Sequence, residues 1–389
     1  MKHPLEIQYG PVDGWFILLI MGGLSISFFS YQVIKATRLV MLGAPDNRFD
    51  SWGLRVKEML IGWLGQKKVL RDKVAGTMHV LMFWGFLMLG SDMLDLASAN
   101  YFSEHLLPSF LNNPWNGIVE LGYTTALLGA LAALTRRIIF TPEKLKGKSQ
   151  LEGNFILVLI LTITSTSFII ESPENPSSFW EPLGFWVSGL GLSSSFIIAS
   201  YWAHMVAICC FLVLIPVSKH MHLVMAIPNV FFHDTQALGK MRPLAIGEDG
   251  KAVPLEDLDI DSFGVSTFDQ YTWRQIIDGW SCTSCARCQD VCPAYESGKG
   301  LNPMQVIHDV RNYANEYAPI LLKGENPEET MLARITSEAV WACTTCNACV
   351  DICPLYIEHV PKLTELRRNA MMETMEYPEE LNVAMGNLE

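Results

Sequence analysis

Five apolar runs occupy the first 220 residues, and they constrain the fold more than any other feature of the sequence. They cover about residues 15–42, 75–97, 117–135, 153–171 and 199–219. Each run is long enough for a helix that crosses a bilayer, which takes about 20 residues. One such run would also suit a buried helix of a soluble protein. Five in succession, separated by charged or Pro- and Gly-rich loops, predict spanning helices.

The basic residues predict how this bundle is oriented. The loops 98–116 and 172–198 contain no Lys or Arg, whereas the other loops are basic. The basic loops carry Arg48, Arg55, Lys57, Lys67, Lys68, Arg71 and Lys73, and then Arg136, Arg137, Lys144, Lys146 and Lys148. Because basic loops stay in the cytoplasm, we expect the N-terminus outside and everything from Lys219 onward inside. The sequence therefore predicts a multi-pass protein of the inner (cytoplasmic) membrane.

Composition divides the chain near residue 242. Residues 1–242 carry 18 Lys and Arg against 16 Asp and Glu, whereas residues 243–389 carry 10 against 24. Eight of the ten cysteines follow residue 280. Only 17% of all residues are charged and half are hydrophobic, which excludes a nucleic-acid-binding tail protein. We expect an acidic, cysteine-rich module that follows a membrane bundle.

A repeated cysteine motif is the strongest chemical signal in the chain. Cys282, Cys285, Cys288 and Cys292 have the spacing C-x₂-C-x₂-C-x₃-C-P, and Cys343, Cys346, Cys349 and Cys353 repeat it. This is the pattern of two-cluster ferredoxins, in which the fourth Cys of each run binds the other cluster. One cluster is thus predicted on Cys282, Cys285, Cys288 and Cys353, and the other on Cys343, Cys346, Cys349 and Cys292.

Two other uses of eight cysteines fit less well. Disulfides are rare in the cytoplasm, where the predicted topology puts this segment. Structural zinc usually takes paired Cys-x-x-Cys ligands instead of two complete four-cysteine runs. Two [4Fe-4S] clusters are therefore predicted. The remaining cysteines, Cys209 and Cys210, lie in the fifth apolar run and are interpreted as packing residues.

Histidines in or beside the apolar runs suggest a second kind of cofactor, since ionisable residues there are costly and usually functional. His79 lies in the second run, and His204, His220 and His222 belong to the fifth. Imidazole is an axial ligand of haem iron. A continuous helix from His204 to His222 would make five turns and rise about 27 Å, with both rings on one face. Hydrogen-bonded or interfacial histidines are the alternative.

The membrane part resembles a known family. The run His79-Val-Leu-Met-Phe-Trp-Gly-Phe and the segment Ile-Pro-Val-Ser-Lys-His220-Met-His222 are similar to the cytochrome b (gamma) subunit of nitrate reductase and the membrane subunit of heterodisulfide reductase. The resemblance implies five helices, two b haems and quinone binding. It implies an inner haem on His79 and His222, and it makes His204 and His220 candidate ligands of a second haem.

One position departs from that family pattern. The resemblance places a second haem histidine ten residues after His79, where this chain has Leu89, which cannot ligate iron. A second haem would pair His204 with Met88, Met93 or His105, or be missing, so one or two b haems are expected. Weak candidates for a quinone site are the carboxylates Asp92, Asp95, Glu120 and Glu171. Solvated helix ends are their alternative reading.

The soluble part resembles the ferredoxin-like subunit of heterodisulfide reductase and its relatives. The similarity lies in the cysteine motifs, the insert 294–342 with helical stretches 303–318 and 327–341, and the tail from Ile357 to Arg368. Relatives include oxidoreductases that serve electron-transferring flavoprotein. No Cys follows Cys353, so we expect the catalytic centre on a partner, either a Cys-Cys-Gly protein or a flavoprotein. No catalytic residue and no G-x-G-x-x-G loop is found.

Together these observations predict an all-α membrane protein. It has a five-helix transmembrane cytochrome b (1–233), a connector (234–270) and a cytoplasmic dicluster ferredoxin-like domain (271–389). The predicted function is electron transfer in a hetero-oligomeric respiratory oxidoreductase complex, between membrane quinone or menaquinone, b haem, the clusters and a cytoplasmic partner. The alternative is a membrane anchor whose clusters relay electrons without reacting with quinone.

Overall fold

Long helices dominate the first part of the computed structural model. The structure describes residues 3–102, 112–140, 148–174, 176–241, 243–244, 253–254 and 263–387. A short antiparallel hairpin of Gln8–Tyr9 (β1) and Val12–Asp13 (β2) precedes the helices. The helices are Gly14–Val40 (α1), Trp52–Met59 (α2), Lys73–Phe102 (α3), Asn112–Ile139 (α4), Lys148–Glu171 (α5), Pro182–Ser188 (α6), Ser194–Leu214 (α7) and His222–Phe231 (α8).

Shorter helices make up the second part. They are Trp273–Ser281 (α9), Arg287–Asp290 (α10), Pro293–Glu296 (α11), Pro303–Glu316 (α12), Ala318–Leu321 (α13), Met331–Ile335 (α14), Ser337–Ala342 (α15), Ala348–Ile352 (α16), His359–Met372 (α17) and Asn382–Gly386 (α18). The predicted stretch 327–341 is two helices, because Thr336 between α14 and α15 has a positive φ of 75°. The protein is about 70% helical, in agreement with an all-α membrane protein.

The number of apolar helices agrees with the sequence. Within the described residues, five helices are long and apolar enough to cross a membrane: α1, α3, α4, α5 and α7. The predicted continuity of the fifth one was wrong. Helix α7 ends at Leu214, Pro216 lies in a single 3₁₀ turn, and Ser218 is extended with φ −117° and ψ −178°. His222 therefore begins a new helix, and counting turns from His204 does not give its direction.

The described chain forms two compact units that interleave in sequence. The first contains residues 1–31 and 69–218, and the second contains residues 32–68 and 219–389. The boundary thus falls inside α1, and the segment between the first two apolar helices packs with the C-terminal part. The division of the chain at 233 and 270 stays a prediction.

Small residues let α3 and α4 approach closely in the first unit. A Cβ on Gly85 would lie 2.7 Å from the Cβ of Ala126, and one on Gly129 would lie 2.9 Å from the carbonyl of Met78. Such contacts are typical of helix packing in membranes, where no hydrophobic effect drives association. Leu89 packs against Val119, Tyr123 and Phe168 and so serves as an apolar packing residue.

Apolar side chains from both parts of the sequence form the core of the second unit. Leu39 at the end of α1, Met225 of α8, Ile276 of α9, Val310 of α12 and Leu366 of α17 are all buried in it. Backbone contacts add to this packing, since Ala44 accepts from the N–H of Trp273 and donates to the carbonyl of Tyr271. The residues before the second apolar helix are therefore an integral part of the cluster-motif unit.

A buried ionic group lies beneath this core. Asp278 of α9 accepts from Arg274 at 2.8 Å and from Lys362 of α17, and all three side chains are fully buried. Arg274 also donates to the carbonyls of Asn229 and Tyr356. Burial alone would raise the pKa of Asp278, but the two cations outweigh it and hold that pKa well below its usual range. The Asp278 carboxylate thus joins α9 to α17, and the Arg274 guanidinium joins α9 to α8.

We expect Asp278→Ala to destabilise the protein by about 3–5 kcal/mol, since it leaves two buried cations without their counter-charge. Urea denaturation followed by helical circular dichroism measures this effect. Because the folded pKa is depressed, the carboxylate's contribution is complete above the unfolded value of about 3.9 and is lost only as the pH falls through the folded one. The difference should therefore be the same at pH 7 and pH 5.

Glu316→Ala is the matched control. Glu316 pairs with Arg334 at 2.9 Å, but its side chain is 55% exposed, so its loss should cost less than about 1 kcal/mol. Equal effects of the two substitutions would contradict a dominant role for the buried group.

Candidate cofactor sites

The first cysteine motif is a tight loop delivered by α9. A capping box of Thr272 and Gln275 fixes the start of this helix, and Cys282 follows its last residue. Ser284 and Ala286 then have positive φ values of 55° and 62°, although neither is a glycine. Such a conformation costs about 1–3 kcal/mol per residue and is concentrated at functional sites. The loop turns the chain back so that Cys285 and Cys288 follow within six residues of Cys282.

The second motif repeats this backbone. Thr345 and Asn347, at the positions of Ser284 and Ala286, have positive φ values of 54° and 61°. Short helices follow both loops, α10 in the first motif and α16 in the second. Both loops have the same strained conformation at the same two positions after their first cysteine, which indicates that both wrap the same kind of group.

The thiols form two sets, and the fourth cysteine of each motif lies in the set of the other motif. Burial raises the pKa of Cys288, and the neighbouring Cys353, Cys282 and Cys285, with a smaller effect of Cys349, raise it further. Burial likewise raises the pKa of Cys349, followed by the effects of Cys343, Cys292 and Cys346. The structure thus brings Cys353 to the first motif and Cys292 to the second, as in the predicted ligand sets.

These thiol sets suit iron–sulfur cubes. Burial raises the pKa of Cys282 to about 11 and that of Cys353 to about 12, so such crowded thiols ionise only when a metal centre supplies positive charge. Among the described residues no three His, Cys, Asp or Glu side chains converge on one ion position. A cube holds its ligands at separate corners and does not need that convergence. The ligand assignment itself stays a prediction.

The two thiol sets differ in exposure. Cys282, Cys288 and Cys353 of the first set are buried, and Cys285 is half-buried. In the second set Cys346 is exposed, Cys343 and Cys349 are half-buried, and only Cys292 is buried. We call the two positions the inner site and the outer site. Since Thr344 and Thr345 are exposed as well, the outer site lies at the surface of its unit.

Residues from the loop before α3 cover the inner site. Arg287, next to Cys288, donates to the carbonyl of Lys68 at 2.9 Å. The Lys68 ammonium lies 3.8 Å from the ring centre of Tyr356, three residues after Cys353. A Cβ on Gly62 would lie 2.5 Å from the Tyr356 hydroxyl. These contacts explain why the inner site is the buried one.

Three side chains near the first cysteines were missed by sequence reasoning. Arg311 of α12 and Arg367 of α17 lower the pKa of Cys282 and Cys343, respectively, against the larger effect of burial. His308 of α12 has its Nε2 3.7 Å from the Cys282 Sγ and 3.0 Å from the Ser284 hydroxyl. In the sequence, His308 stands out only by its position between the apolar residues Ile307 and Val310. Any amphipathic helix has polar residues at such positions, so this pattern does not indicate a site.

The predicted haem histidines are spread over both units. His79 of α3 stacks on Phe83 with ring centres 6.3 Å apart, and His204 lies in α7. His220 lies in a 3₁₀ turn beside His222, with ring centres 5.8 Å apart. The side chains of Met93 and His105 lie outside the described residues.

Backbone carbonyls contact the rings of two of these histidines. The His204 Nδ1 lies 3.1 Å from the carbonyl of Ile163 and 2.9 Å from the Thr166 hydroxyl, and the His222 Nδ1 lies 2.8 Å from the carbonyl of Lys219. A carbonyl only accepts, so the His222 Nδ1 carries the proton and leaves its Nε2 as the donor atom for iron. Metal-ligating histidines are commonly held in this way. The residues therefore fit b haem.

The carboxylates that were candidates for a quinone site have different surroundings. The Glu120 carboxylate accepts from the N–H groups of Leu183 and Gly184 at 2.9 Å each. These bonds cap the start of α6, so Glu120 has a structural role. Glu171 is half-buried at the end of α5, and the side chains of Asp92 and Asp95 lie outside the described residues.

Comparison with known proteins identifies the cysteine-rich part. Residues 274–354 match the 4Fe-4S dicluster domain family. EtfAB:quinone oxidoreductase of Syntrophomonas wolfei is 29% identical and aligns with all of this chain and 60% of its own length. The "probable iron-sulfur-binding oxidoreductase FadF" of Bacillus subtilis is 27% identical over 96% of this chain and 58% of its own.

A third relative aligns with a smaller share of the chain. One of the subunits of ferredoxin:CoB-CoM heterodisulfide reductase from Methanosarcina mazei is 31% identical over 28% of this chain and 56% of its own. The homologues are thus iron–sulfur oxidoreductases, some of them subunits of larger complexes. The chain spans about 60% of the length of the first two relatives. No solved structure matches it.

Replacing one cysteine of either motif should remove one cluster. We expect Cys288→Ala and Cys349→Ala each to lower the non-haem iron content from about eight to about four atoms per chain, since each cube needs four thiolates. Iron and acid-labile sulfide assays measure this. Cys209→Ala, in α7, is the control and should retain all iron. Full iron content in Cys349→Ala would refute the assigned ligand set.

Proposed function

We propose that this chain is the electron-transfer subunit of a membrane-bound respiratory oxidoreductase complex. In this proposal electrons pass between membrane quinone or menaquinone, b haem, two [4Fe-4S] clusters and a cytoplasmic partner subunit. The chain lies in the inner membrane with its N-terminus outside and its clusters inside. Homology to iron–sulfur electron-transfer oxidoreductases and five apolar helices support the coarse part of this proposal. One relative is named as a quinone oxidoreductase.

One contact in the second unit carries the proposal. The Ser281 hydroxyl, next to Cys282, donates to the carbonyls of Met225 and Ile277 at 3.1 Å each. Met225 lies three residues after His222 in α8. Three helical residues, about 4.5 Å of rise, and one hydrogen bond therefore separate the proposed haem ligand from the proposed first cluster ligand. This closeness favours electron transfer between the inner haem and the inner site.

The chain's own residues hold and orient these groups. Bound haem and cubes supply one-electron chemistry. His79 and His222 would hold the inner haem, and the Lys219 carbonyl fixes the tautomer of His222. His204 contacts the Ile163 carbonyl and the Thr166 hydroxyl and would serve a second haem. The buried thiols of the inner site exclude water from their cube.

The outer site is the proposed contact with the partner. Its ligand Cys346 is exposed, and the exposed carboxylates Asp290 and Asp351 lie in the same two motifs. An acidic rim favours a partner with a basic docking surface. We favour a flavoprotein over a Cys-Cys-Gly protein. The reason is that one relative that aligns with all of this chain is named EtfAB:quinone oxidoreductase.

The haem assignment is tested by removing its ligands. We expect His79→Ala and His222→Ala each to abolish the absorbance of the inner b haem, because six-coordinate iron needs both imidazoles. Reduced-minus-oxidised difference spectra of purified protein measure this. His3→Gln, an exposed histidine near the N-terminus, is the control and should keep the spectrum. An unchanged spectrum in His79→Ala would rule out this residue as a ligand.

The quinone link has its own test. We expect a reduced menaquinone analogue to reduce the haem in purified full-length protein, and the oxidised analogue to reoxidise haem and clusters after chemical reduction. Optical and electron paramagnetic resonance spectra follow the two cofactors. Reducible clusters without any quinone-responsive haem would instead favour the membrane anchor with an iron–sulfur relay.

A further inference from the structure

The two cysteine motifs belong to an internal repeat that extends into the helices after them. Helix α12 begins at Pro303 and α17 at His359, so Arg311 and Arg367 occupy the same position, eight residues after each start. Each guanidinium lowers the pKa of the first cysteine of its own motif. The repeat therefore gives both clusters one nearby arginine.

The repeat breaks at one position of these helices. Five residues after the helix start, α12 has His308 and α17 has Thr364. The His308 Nε2 lies 3.7 Å from the Cys282 Sγ and 3.0 Å from the Ser284 hydroxyl. Thr364 instead donates its hydroxyl to the Val360 carbonyl of its own helix at 3.0 Å. Both first cysteines receive a backbone N–H from the residue two positions on, Cys282 from Ser284 and Cys343 from Thr345. The imidazole of His308 is thus an additional group at Cys282.

A donor at a ligand sulfur changes how easily the cluster takes up an electron. Hydrogen bonds to the sulfurs are one of the factors that set cluster potentials. The electron adds negative charge to the thiolate cage, and an N–H directed at a sulfur stabilises that charge. Burial acts in the opposite direction, because it disfavours added charge. The buried inner site thus needs such a donor more than the exposed outer one.

We propose that His308 is a positioning residue that raises the reduction potential of the inner cluster by donating its Nε2–H to Cys282 and Ser284. The inference rests on the cluster ligands assigned under the proposed function and not on the haem or the quinone. The electron comes from the partner through the outer site, and no proton need move with it. With a raised inner potential, transfer from the outer site to the inner site is favoured.

His308→Thr is the decisive variant, because it installs the residue that the second half of the repeat already uses at this position. Full-length protein is poised with redox mediators, and electron paramagnetic resonance follows each reduced cluster. Cys346→Ala identifies the signal of the outer cluster by removing it. We expect about a tenfold loss in the reduction equilibrium of the inner cluster, equal to a 59 mV decrease for one electron, with the outer cluster unchanged.

Two further variants complete the test. His308→Gln keeps an N–H donor and should restore most of the potential, and Asn312→Ala, on the exposed side of the same helix, should change nothing. Equal potentials in wild type and His308→Thr, or equal shifts of both clusters, would overturn the proposal. Loss of half the iron in His308→Thr would also overturn it, since His308 would then hold the cluster in place. A wild-type chain without about eight non-haem iron atoms would instead refute the proposed function.

Discussion

The carboxylate of Asp278 is the point on which the second unit depends. It lies at zero exposure between Arg274 and Lys362, and Arg274 reaches backbone carbonyls of two other segments. Removing one member of a buried ion group destabilises a protein far more than replacing the whole group with apolar residues. The reason is that the remaining charges stay buried without a counter-charge. Helix α9, which Cys282 follows, and helix α17, which comes after Cys353, are thus joined at the carboxylate of Asp278.

This arrangement sets the distance between the proposed cofactors. Arg274 fixes α9 against Asn229 near the end of α8, and Ser281 fixes it against Met225 near the start. Two bonds at opposite ends prevent α8 from sliding along α9. The position of His222 relative to Cys282 therefore depends on these polar contacts within the second unit.

The sequence predicted the features that are local in the chain. Cysteine spacing predicted a dicluster domain, which the family match supports, because the loop geometry around a cube is encoded within about 11 residues. Hydropathy found the five apolar helices. It missed the break at Pro216, since a 3₁₀ turn and one extended residue leave the apolar pattern intact. His308 and the cover formed by Gly62 and Lys68 depend on contacts between distant segments, which no local pattern records.

The interleaved units also have a consequence for biosynthesis. Arg48 is buried and pairs with Glu358 at 2.8 Å, although 310 residues separate the two. At a synthesis rate of about 5–20 residues per second, the ribosome adds Glu358 on the order of 15–60 s after Arg48. During that time the end of α1 lacks most of the core that buries Leu39 and Val40. Synthesis of the C-terminal part therefore completes the surroundings of a helix near the N-terminus.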